Sequence, residues 1–521
     1  VSGERVFRND WSRLSPPAIG TWTPTRPVSV VMPVHNGQDL LNLTLASLSR
    51  QTYPAHLLEV VVVDDASQPP LTLPEPRPQR CRIVRVSDGW GRSNALHTGA
   101  VHSDGEILHW LDADMVVFPE HVEAQARWHH VSDEAVTLGY KRFVNEGTLT
   151  AEEVVRRADD GTLDQAFPAE VTAPHDYVEE LIDKTNALRG GDHLNFRAHV
   201  GATAALTREL YLASGGLNPD LHLGEDTEFG YRLTQAGAVF IPEPAARSWH
   251  MGPSNMMRTG EALRRYNQPY LAELMPHPRW LRHGAQRTWP VPLVTAVVEA
   301  NGSLEQVRTC VDRLLASDEH DLAVVLVGPW DTIHDERRRI LADPALDLRL
   351  IQATYRHEPR VRLATTAPAT VFPSPYRLNV PTTVGVGLST VRRLVGEADR
   401  WKVGLVRALA VRGASKTEAV ELWRTAAVSR AVRTASPDES LVDGVAAVYG
   451  QRWVSGEDFG LLDLTAAKLV SPAPRLGGAT GESMPMPRDD GEDYIIVGGL
   501  RSWARATRMV ARQGIRHIRT R

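Results

Sequence analysis

Cysteine is nearly missing from this sequence. Its two cysteines, Cys81 and Cys310, lie far apart in 521 residues, too few for a disulfide framework or a cysteine zinc site. That scarcity fits a reducing compartment. Long apolar runs are missing too: no stretch approaches the ~20 residues a membrane span needs. The opening VSGERVFRNDWSRLSPPAIG is polar and mixed in charge, unlike a secretory signal. The expected location is the cytoplasm. Positive charge is not in surplus, and a formal net charge of −5 gives no reason to expect nucleic acid as a partner. No G-x-G-x-x-G follows a strand-like run, which argues against a dinucleotide-binding oxidoreductase. The loop after the first apolar run, VHNGQDLL, lacks Lys and Arg, which argues against a nucleotidyltransferase phosphate loop.

What remains is an ordinary globular composition, 42% apolar and 23% charged, long enough for several domains. Residues 1–26 read as an irregular arm. PVSVVMPVHN (27–36) predicts a buried strand, QDLLNLTLASLSRQ (38–51) a helix, and EVVVVDDAS (59–67) and RIVRVS (82–87) two further strands. GWGRSNALHTGAVH then reads as a loop and a helix, and EILHWLDADM (106–115) as a fourth strand, with a helix starting at Pro119. Such alternation predicts an α/β fold, a mostly parallel sheet with helices on both faces and polar residues gathered where strands end. Residues 145–193 look like a helical insertion over the sheet edge, and 276–292 is a proline-rich linker closing a domain of 27–275.

The second domain, 293–490, starts with VTAVVEANGSLEQVRTCVDRLL, which tracks the strand, Asn-Gly and helix of the first. YRLNVPTTVGVGLSTVRRLV (376–395) echoes FRAHVGATAALTRELYL, and GEDFG (456–460) echoes GEDTEFG. Two readings stand: a degenerate copy of the first domain, or the likeness of any two βαβ units. Gly328-Pro329 stands where the first half has Asp64-Asp65, and there is no Asp-X-Asp. The tail, 491–521, carries seven arginines between Arg501 and Arg521 and no acid there, with Trp503, Met509, Val510, Ile515 and Ile518 interleaved. It reads as a basic amphipathic helix for peripheral contact with the inner face of a membrane, or as a solvated tail.

Asp112 and Asp114 pose the chemical question. On an extended backbone they project to one side and can converge on a hard cation. A salt-bridge partner or a helix-capping turn is the alternative. The ordered set VSVVMPVHNG, EVVVVDDAS, GRSNALHTGA, LDADM and GEDTEFGYRL decides more than any member alone. It resembles the family 2 glycosyltransferases of the GT-A fold, nucleotide-sugar-dependent and usually inverting, over roughly residues 27–255.

The resemblance implies roles. Pro33, His35 and Asn36 would lie beneath the nucleotide. Asp65, with Asp64, would accept hydrogen bonds from base or ribose, and Arg92 and Asn94 would lie nearby. Asp112 would contact the ribose or a metal-bound water, and Asp114 would ligate Mn2+ or Mg2+ together with His250. Asp226 matches the family's general base, with Glu225 positioning the acceptor or the loop. His129 and His130 fall on a helix and read as surface residues.

The implied reaction transfers a sugar, UDP-linked by preference, to an acceptor hydroxyl with inversion, in glycan or cell-surface polysaccharide synthesis. A glycan, a lipid carrier, a peptide or a small natural product could be the acceptor, and a homo-oligomer is compatible with the chain. The rival is an inactive scaffold of the same fold, which suits residues 294–470 better than the first half.

Overall fold

Two sheets organise the chain, one of nine strands and one of seven among the described residues. The computed structural model describes residues 4–282, 287–412 and 416–465. The rest of the expected second domain and the basic segment 491–521 lie outside the described residues.

In the first half, β1 (Val28–Val34), α1 (Gln38–Leu48), β2 (Leu58–Asp64), β3 (Arg80–Arg85), α2 (Arg92–Val101), β4 (Ile107–Leu111) and β5 (Met115–Val117) come first. There follow α3 (His121–His129), β6 (Ala135–Val144), α4 (Ala151–Asp159), β7 (Thr172–Pro174), α5 (Asp176–Lys184) and β8 (Thr203–Thr207). Last are α6 (Arg208–Ala213), α7 (Glu225–Gln235), β9 (Val239–Met251) and α8 (Asn255–Leu274). The order β3-β2-β1-β4 is parallel throughout. Beyond it β8 runs antiparallel to both β4 and β6, β6 and β9 are parallel, and β5 closes the edge antiparallel to β9.

The valine runs explain the centre. Val30, Val31 and Val60 to Val63 are all fully buried, each worth about 1.5–3 kcal/mol. On α1, Leu41, Leu45 and Leu48 recur at helical spacing and pack under β1 and β2. The expected fourth strand is divided: β4 stops at Leu111, and the chain rejoins the sheet as β5 only after Asp112–Asp114.

Two expectations change. The helix expected from Pro119 starts at His121. His129 is buried and His130 half-buried, not on the surface, because α3 is covered by the sheet and by the N-terminal arm. In that arm, the Thr25 and Arg26 N–H groups reach His130 Nε2 at 3.3 and 3.2 Å, and Trp22 Nε1 donates to Glu123 at 2.9 Å. The insertion is helical in α4 and α5, and it also adds β7 to the end of β6.

The second half holds β10 (Val294–Glu299), α9 (Leu304–Leu315), β11 (Leu322–Val327), α10 (Leu346–Tyr355), β12 (Val361–Ala364), β13 (Tyr376–Asn379) and β14 (Val384–Gly385). Then come α11 (Thr390–Trp401), β15 (Leu405–Arg412), β16 (Lys416–Arg424), α12 (Thr425–Arg433), α13 (Leu441–Tyr449), β17 (Gln451–Ser455) and β18 (Leu462–Asp463). Its order, β12-β11-β10-β13-β16-β15-β17, repeats β3-β2-β1-β4-β8-β6-β9 strand for strand, with the same parallel and antiparallel neighbours. The second half thus repeats the strand topology of the first.

The register corrects two sequence echoes. Val28 pairs with Ile107 and Val294 with Tyr376, so YRLN at 376–379 is the counterpart of β4, not of the β8 segment. GEDFG forms a turn after β17, whereas the helix in the place of α7 is α13, which precedes β17.

A buried ion pair holds the second half where the linker passes. Arg424 Nη2 donates to Asp399 Oδ1 at 2.9 Å, and the Tyr376 hydroxyl donates to the same oxygen. Burial pushes the Asp399 carboxyl up, but Arg424, His193 and Tyr376 outweigh it and hold it at about 2. The pair's contribution is therefore complete above an unfolded carboxyl pKa of ~3.9 and is lost as pH falls toward 2. Asp399→Asn is expected to lower stability by roughly 2–4 kcal/mol at neutral pH, the low side of a broken buried pair, since 26% of the Asp399 side chain is exposed. Urea unfolding of both proteins from pH 7 to pH 3 checks this, with the two curves converging toward the acid end.

Candidate functional site

The polar residues gather at one edge of the first sheet, where β1, β2 and β4 end. Met115 pairs with His250 across β5 and β9, and the Met251 N–H donates to the Asp114 carbonyl at 2.8 Å. This brings Asp112, Asp114 and His250 together, with one ligand atom from each within 4.8 Å of the others. His250 Nδ1 lies 2.9 Å from the Gly252 carbonyl, which can only accept. Nδ1 therefore carries the proton, and Nε2 is left bare, 3.7 Å from Asp114 Oδ2.

Asp114 Oδ1 is buried without a partner among the described residues. Burial pushes the Asp114 carboxyl up, Asp112 adds to this, and His250 opposes it. A bare imidazole nitrogen beside unsatisfied carboxylate oxygens is a donor set suited to a divalent cation, which would supply the missing compensation.

Asp112 is compensated by protein. Arg92, at the start of α2, donates Nε and Nη2 to Asp112 Oδ1 at 3.0 and 2.8 Å. It also donates Nη1 to Glu225 Oε1 at 2.7 Å and Nη2 to the Gly201 carbonyl at 2.7 Å. Burial would raise the Asp112 carboxyl, but Arg92 and Lys141 outweigh it and lower it. Glu225 moves the other way: burial raises it, Asp226 adds to that, and Arg92 opposes. One guanidinium thus ties the end of β4 to the start of α7.

Gly224 sets where α7 begins. Its φ of +80° favours glycine, and a Cβ there would come within 3.0 Å of Asn267 on α8. Glu225 and Asp226 then occupy the first helical turn, where the helix dipole favours carboxylates. Asp226 Oδ1 accepts the Thr227 N–H at 2.7 Å, and its carbonyl accepts His199 Nδ1–H at 2.8 Å. The other carboxylate oxygen, Oδ2, makes no hydrogen bond among the described residues, which leaves it available to take a proton.

The remaining predicted residues divide. Asp65 is half-buried and its Oδ2 accepts the Gly91 N–H at 2.8 Å, joining β2 to the loop before α2. Asn36 at φ +55° spans the same turn, its N–H donating to Ser67 Oγ at 3.0 Å and its Oδ1 accepting the Gln68 N–H at 2.8 Å. His35 Nδ1 reaches the Asp65 carbonyl at 2.6 Å, and Pro33 lies within β1 opposite Val63. Asp64 instead is buried, accepting the Ser67 N–H at 2.8 Å with Arg85 3.5 Å away. Asn94 donates Nδ2 to the Asp88 carbonyl at 2.7 Å, so it shapes the loop.

Three further residues come to the site. Lys141 on β6 is only 8% exposed and makes no hydrogen bond among the described residues. Its amine lies 5.4 Å from the Phe143 ring, itself 4.8 Å from the His250 ring, and in field range of Asp112, Asp226 and Asp114. Burial lowers its pKa, the three carboxylates oppose this, and Arg92 adds to it. His199 is buried against Asp226 with Nε2 unpartnered. Trp90, 63% exposed, stacks on His222 with ring centroids 3.9 Å apart beside Gly91. The sequence already points to the stretch His199–Thr203 as shaping the acceptor site. LGYKRF and DGWGRS have no spacing signal that would single out Lys141 and Trp90, and only the fold brings those two to the site.

The second half does not repeat the Asp-Asp-His group of the first. Counting along the matched registers, Asp112 and Asp114 correspond to Pro381 and Thr383, and His250 to Asp463. Asp64 and Asp65 correspond to Gly328 and Pro329, as the sequence suggested. Trp330 closes the end of β11: it is buried, and Nε1 donates to the Leu326 and Ala364 carbonyls at 3.2 and 3.0 Å.

Residues 29–177 match the family described as Glycosyl transferase family 2. Over 359 residues the chain is 25% identical to the hyaluronan synthase of Pasteurella multocida, covering 64% of this chain and 35% of that protein. It is also 25% identical over 366 residues to the chondroitin synthase of P. multocida strain Pm70, with the same shares, 64% and 35%. The chain thus spans about a third of the length of these curated relatives. Among solved structures, S. aureus TarS in complex with UDP-GlcNAc is similar at 16% identity and a TM-score of 0.35, over 48% of this chain and 67% of that one.

Proposed function

We propose, from the premise that residues 29–177 belong to glycosyltransferase family 2, that this chain moves a sugar from a nucleoside-diphosphate donor to an acceptor hydroxyl. The observation that carries the reading is the convergence of Asp112, Asp114 and His250, with one Asp114 oxygen unpartnered and the His250 Nε2 bare. Asp114 and His250, with Asp112 beside them, would hold a Mn2+ or Mg2+. Such an ion, when bound, acts as a Lewis acid on diphosphate oxygens.

The chain's own residues supply the rest. Asp65 and Asn36 border the nucleotide, and Asp64 and Asn94 hold the turns that present them. Arg92 keeps Asp112 and Glu225 at fixed separation. Asp226 Oδ2 takes the proton of the acceptor hydroxyl, and the hydrogen bonds from Thr227 and His199 fix the orientation in which it does so. The deprotonated oxygen attacks the anomeric carbon opposite the leaving diphosphate, and a single displacement inverts that centre. UDP is the favoured nucleotide and a glycan the favoured acceptor, as suits a relative of hyaluronan and chondroitin synthases. Residues 27–275 form the catalytic domain in this reading. The second domain, with Pro381 and Thr383 where the first has Asp112 and Asp114, suits an acceptor-docking or scaffolding role, and the basic tail suits membrane contact.

Lys141 faces the donor beside Asp112. Lys141→Met, which keeps the stem on Phe143, is expected to lower kcat/KM for the donor by roughly 10²-fold, the scale of one lost electrostatic donor in a site that excludes water. Unchanged steady-state kinetics would remove Lys141 from the site. Release of UDP from UDP-hexoses in the presence of Mn2+ and a glycan acceptor tests the proposed activity itself. No release from UDP-, GDP- or dTDP-linked sugars would contradict it.

A further inference from the structure

The seven-stranded sheet repeats the strand order of the first but not the covering of one of its faces. In the first half Leu108, Trp110, Leu206, Ala204 and Leu138 are 0–3% exposed, packed in one core with α2, α5 and α7. Along the matched registers their counterparts are Arg377, Asn379, Trp423, Glu421 and Arg407. The buried Pro242 of β9 likewise corresponds to Trp453 of β17. Residues opposite one another on neighbouring strands share a face, so this face exchanges apolar side chains for polar ones. The covering changes with them. Residues 365–375, in the place of α2 between β12 and β13, contain no helix, while α12 and α13 pack over Leu405 and Trp423.

An open groove of about 190 Å³ follows, lined by Arg377, Asn379 and Trp423 and by Val428 of α12. From Asn379 an in-register row runs through Glu421 and Arg407 to Trp453, crossing four strands, about 14 Å at the usual strand spacing. Its members hold one another. Arg377 Nε donates to Asn379 Oδ1 at 2.8 Å, Arg407 Nε to Glu421 Oε1 at 2.9 Å, and Trp423 Nε1 to Glu421 Oε2 at 3.1 Å. The Arg407 guanidinium lies over the Trp453 ring, 4.9 Å from its centroid, and Trp453 is still 51% exposed. Arg377 Nη2, Asn379 Nδ2 and Arg407 Nη2 make no hydrogen bond among the described residues.

We propose that this row binds a glycan of several pyranose units. Fixed amide, guanidinium and carboxylate groups match hydroxyls, which both donate and accept, and each Glu421 oxygen has a lone pair to spare. The supported indole of Trp453 matches the apolar face of a pyranose ring. Because these groups already brace one another, binding costs little further ordering. Two guanidiniums against one carboxylate give too little charge for a nucleic-acid backbone. The row crosses the strands on their face, which suits a linear chain lying on the sheet, not a peptide added to its edge. α12, which borders the groove, is tied to the first half by Arg430, whose Nε donates to the Gly237 carbonyl just beyond α7 at 2.7 Å. That the bound glycan is the acceptor rests on the proposed transferase activity; the binding itself does not.

The full chain, without metal or donor, is applied to an array of defined pyranose glycans from monosaccharides to octasaccharides, and the retained glycans are titrated by calorimetry. Retention of at least one glycan series is expected, its tetrasaccharide at least roughly tenfold tighter than its monosaccharide. Trp453→Ala is expected to weaken binding about tenfold, the loss of one aromatic contact, and Asp114→Ala to leave it unchanged. Should the first variant fail to fold, Asn379→Leu reads the same loss from another strand. In a transfer assay, Trp453→Ala should raise KM for a long acceptor roughly tenfold and leave UDP binding with Mn2+ unchanged. The proposal is overturned if no glycan is retained, if monosaccharide and tetrasaccharide bind alike, or if both platform variants bind as wild type. Loss of binding in Asp114→Ala also overturns it, by placing the glycan in the first half. Glycan binding without sugar transfer would leave the platform standing and contradict the transferase reading; transfer without glycan retention would do the reverse.

Discussion

Asp226→Asn is expected to slow sugar transfer by ~10²–10⁴-fold, the usual contribution of a positioned general base, while nucleotide affinity stays within about twofold of wild type. The asparagine keeps the hydrogen bond to Thr227 and the backbone bond from His199, so α7 retains its start and only proton acceptance is lost. Steady-state kinetics with saturating donor, alongside UDP binding, separates the two effects. Equal loss of both would make Asp226 a structural residue of the helix terminus. Glu225→Gln is a useful contrast: it weakens the pairing with Arg92, so it should disturb donor binding as well as turnover.

The second large effect concerns the metal. Asp114→Ala is expected to lower turnover by roughly 10³-fold, since the charge stabilisation a bound cation gives a diphosphate is worth several kcal/mol. Chelation of wild type should reproduce the loss, and Mn2+ should restore wild type but not the variant. His250→Ala should act in the same direction and more weakly, because it leaves the carboxylates in place. If chelated wild type turns over at full rate, the Asp112, Asp114 and His250 group is a hydrogen-bonded turn and the proposed chemistry fails.

Much of the first half is legible in its amino-acid pattern. Strands buried on both faces leave continuous valine runs, and β1 and β2 follow them to within three residues. Asp112 and Asp114 stand out because carboxylates at the end of such a run need a reason to be there. The rest depends on pairing across distant segments. Lys141 is one lysine in LGYKRF until β6 is placed beside β9. His129 looks like a surface residue by helical periodicity, but α3 is covered on a second side by the arm. In the second half, similar letters suggested the wrong counterparts, since YRLN shares its residues with one strand and its register with another. Asp64 and Asp65 are adjacent in sequence, yet one is buried in the turn and the other borders the opening. That distinction follows from strand alternation, which the sequence alone does not phase.

The two halves share a strand order but not a set of functional groups, and this bears directly on how many sugars one chain can handle. With Pro381, Thr383 and Asp463 in place of the proposed ligands, and Trp330 over the end of β11, the proposal assigns the donor to the first half among the described residues. Titration calorimetry of UDP into the full chain, with and without Mn2+, on wild type and Asp114→Ala, tests this most directly. The predicted result is a single UDP per chain, bound only with the metal and lost in the variant. Two equivalents of UDP, binding that ignores the metal, or none under any condition would contradict it.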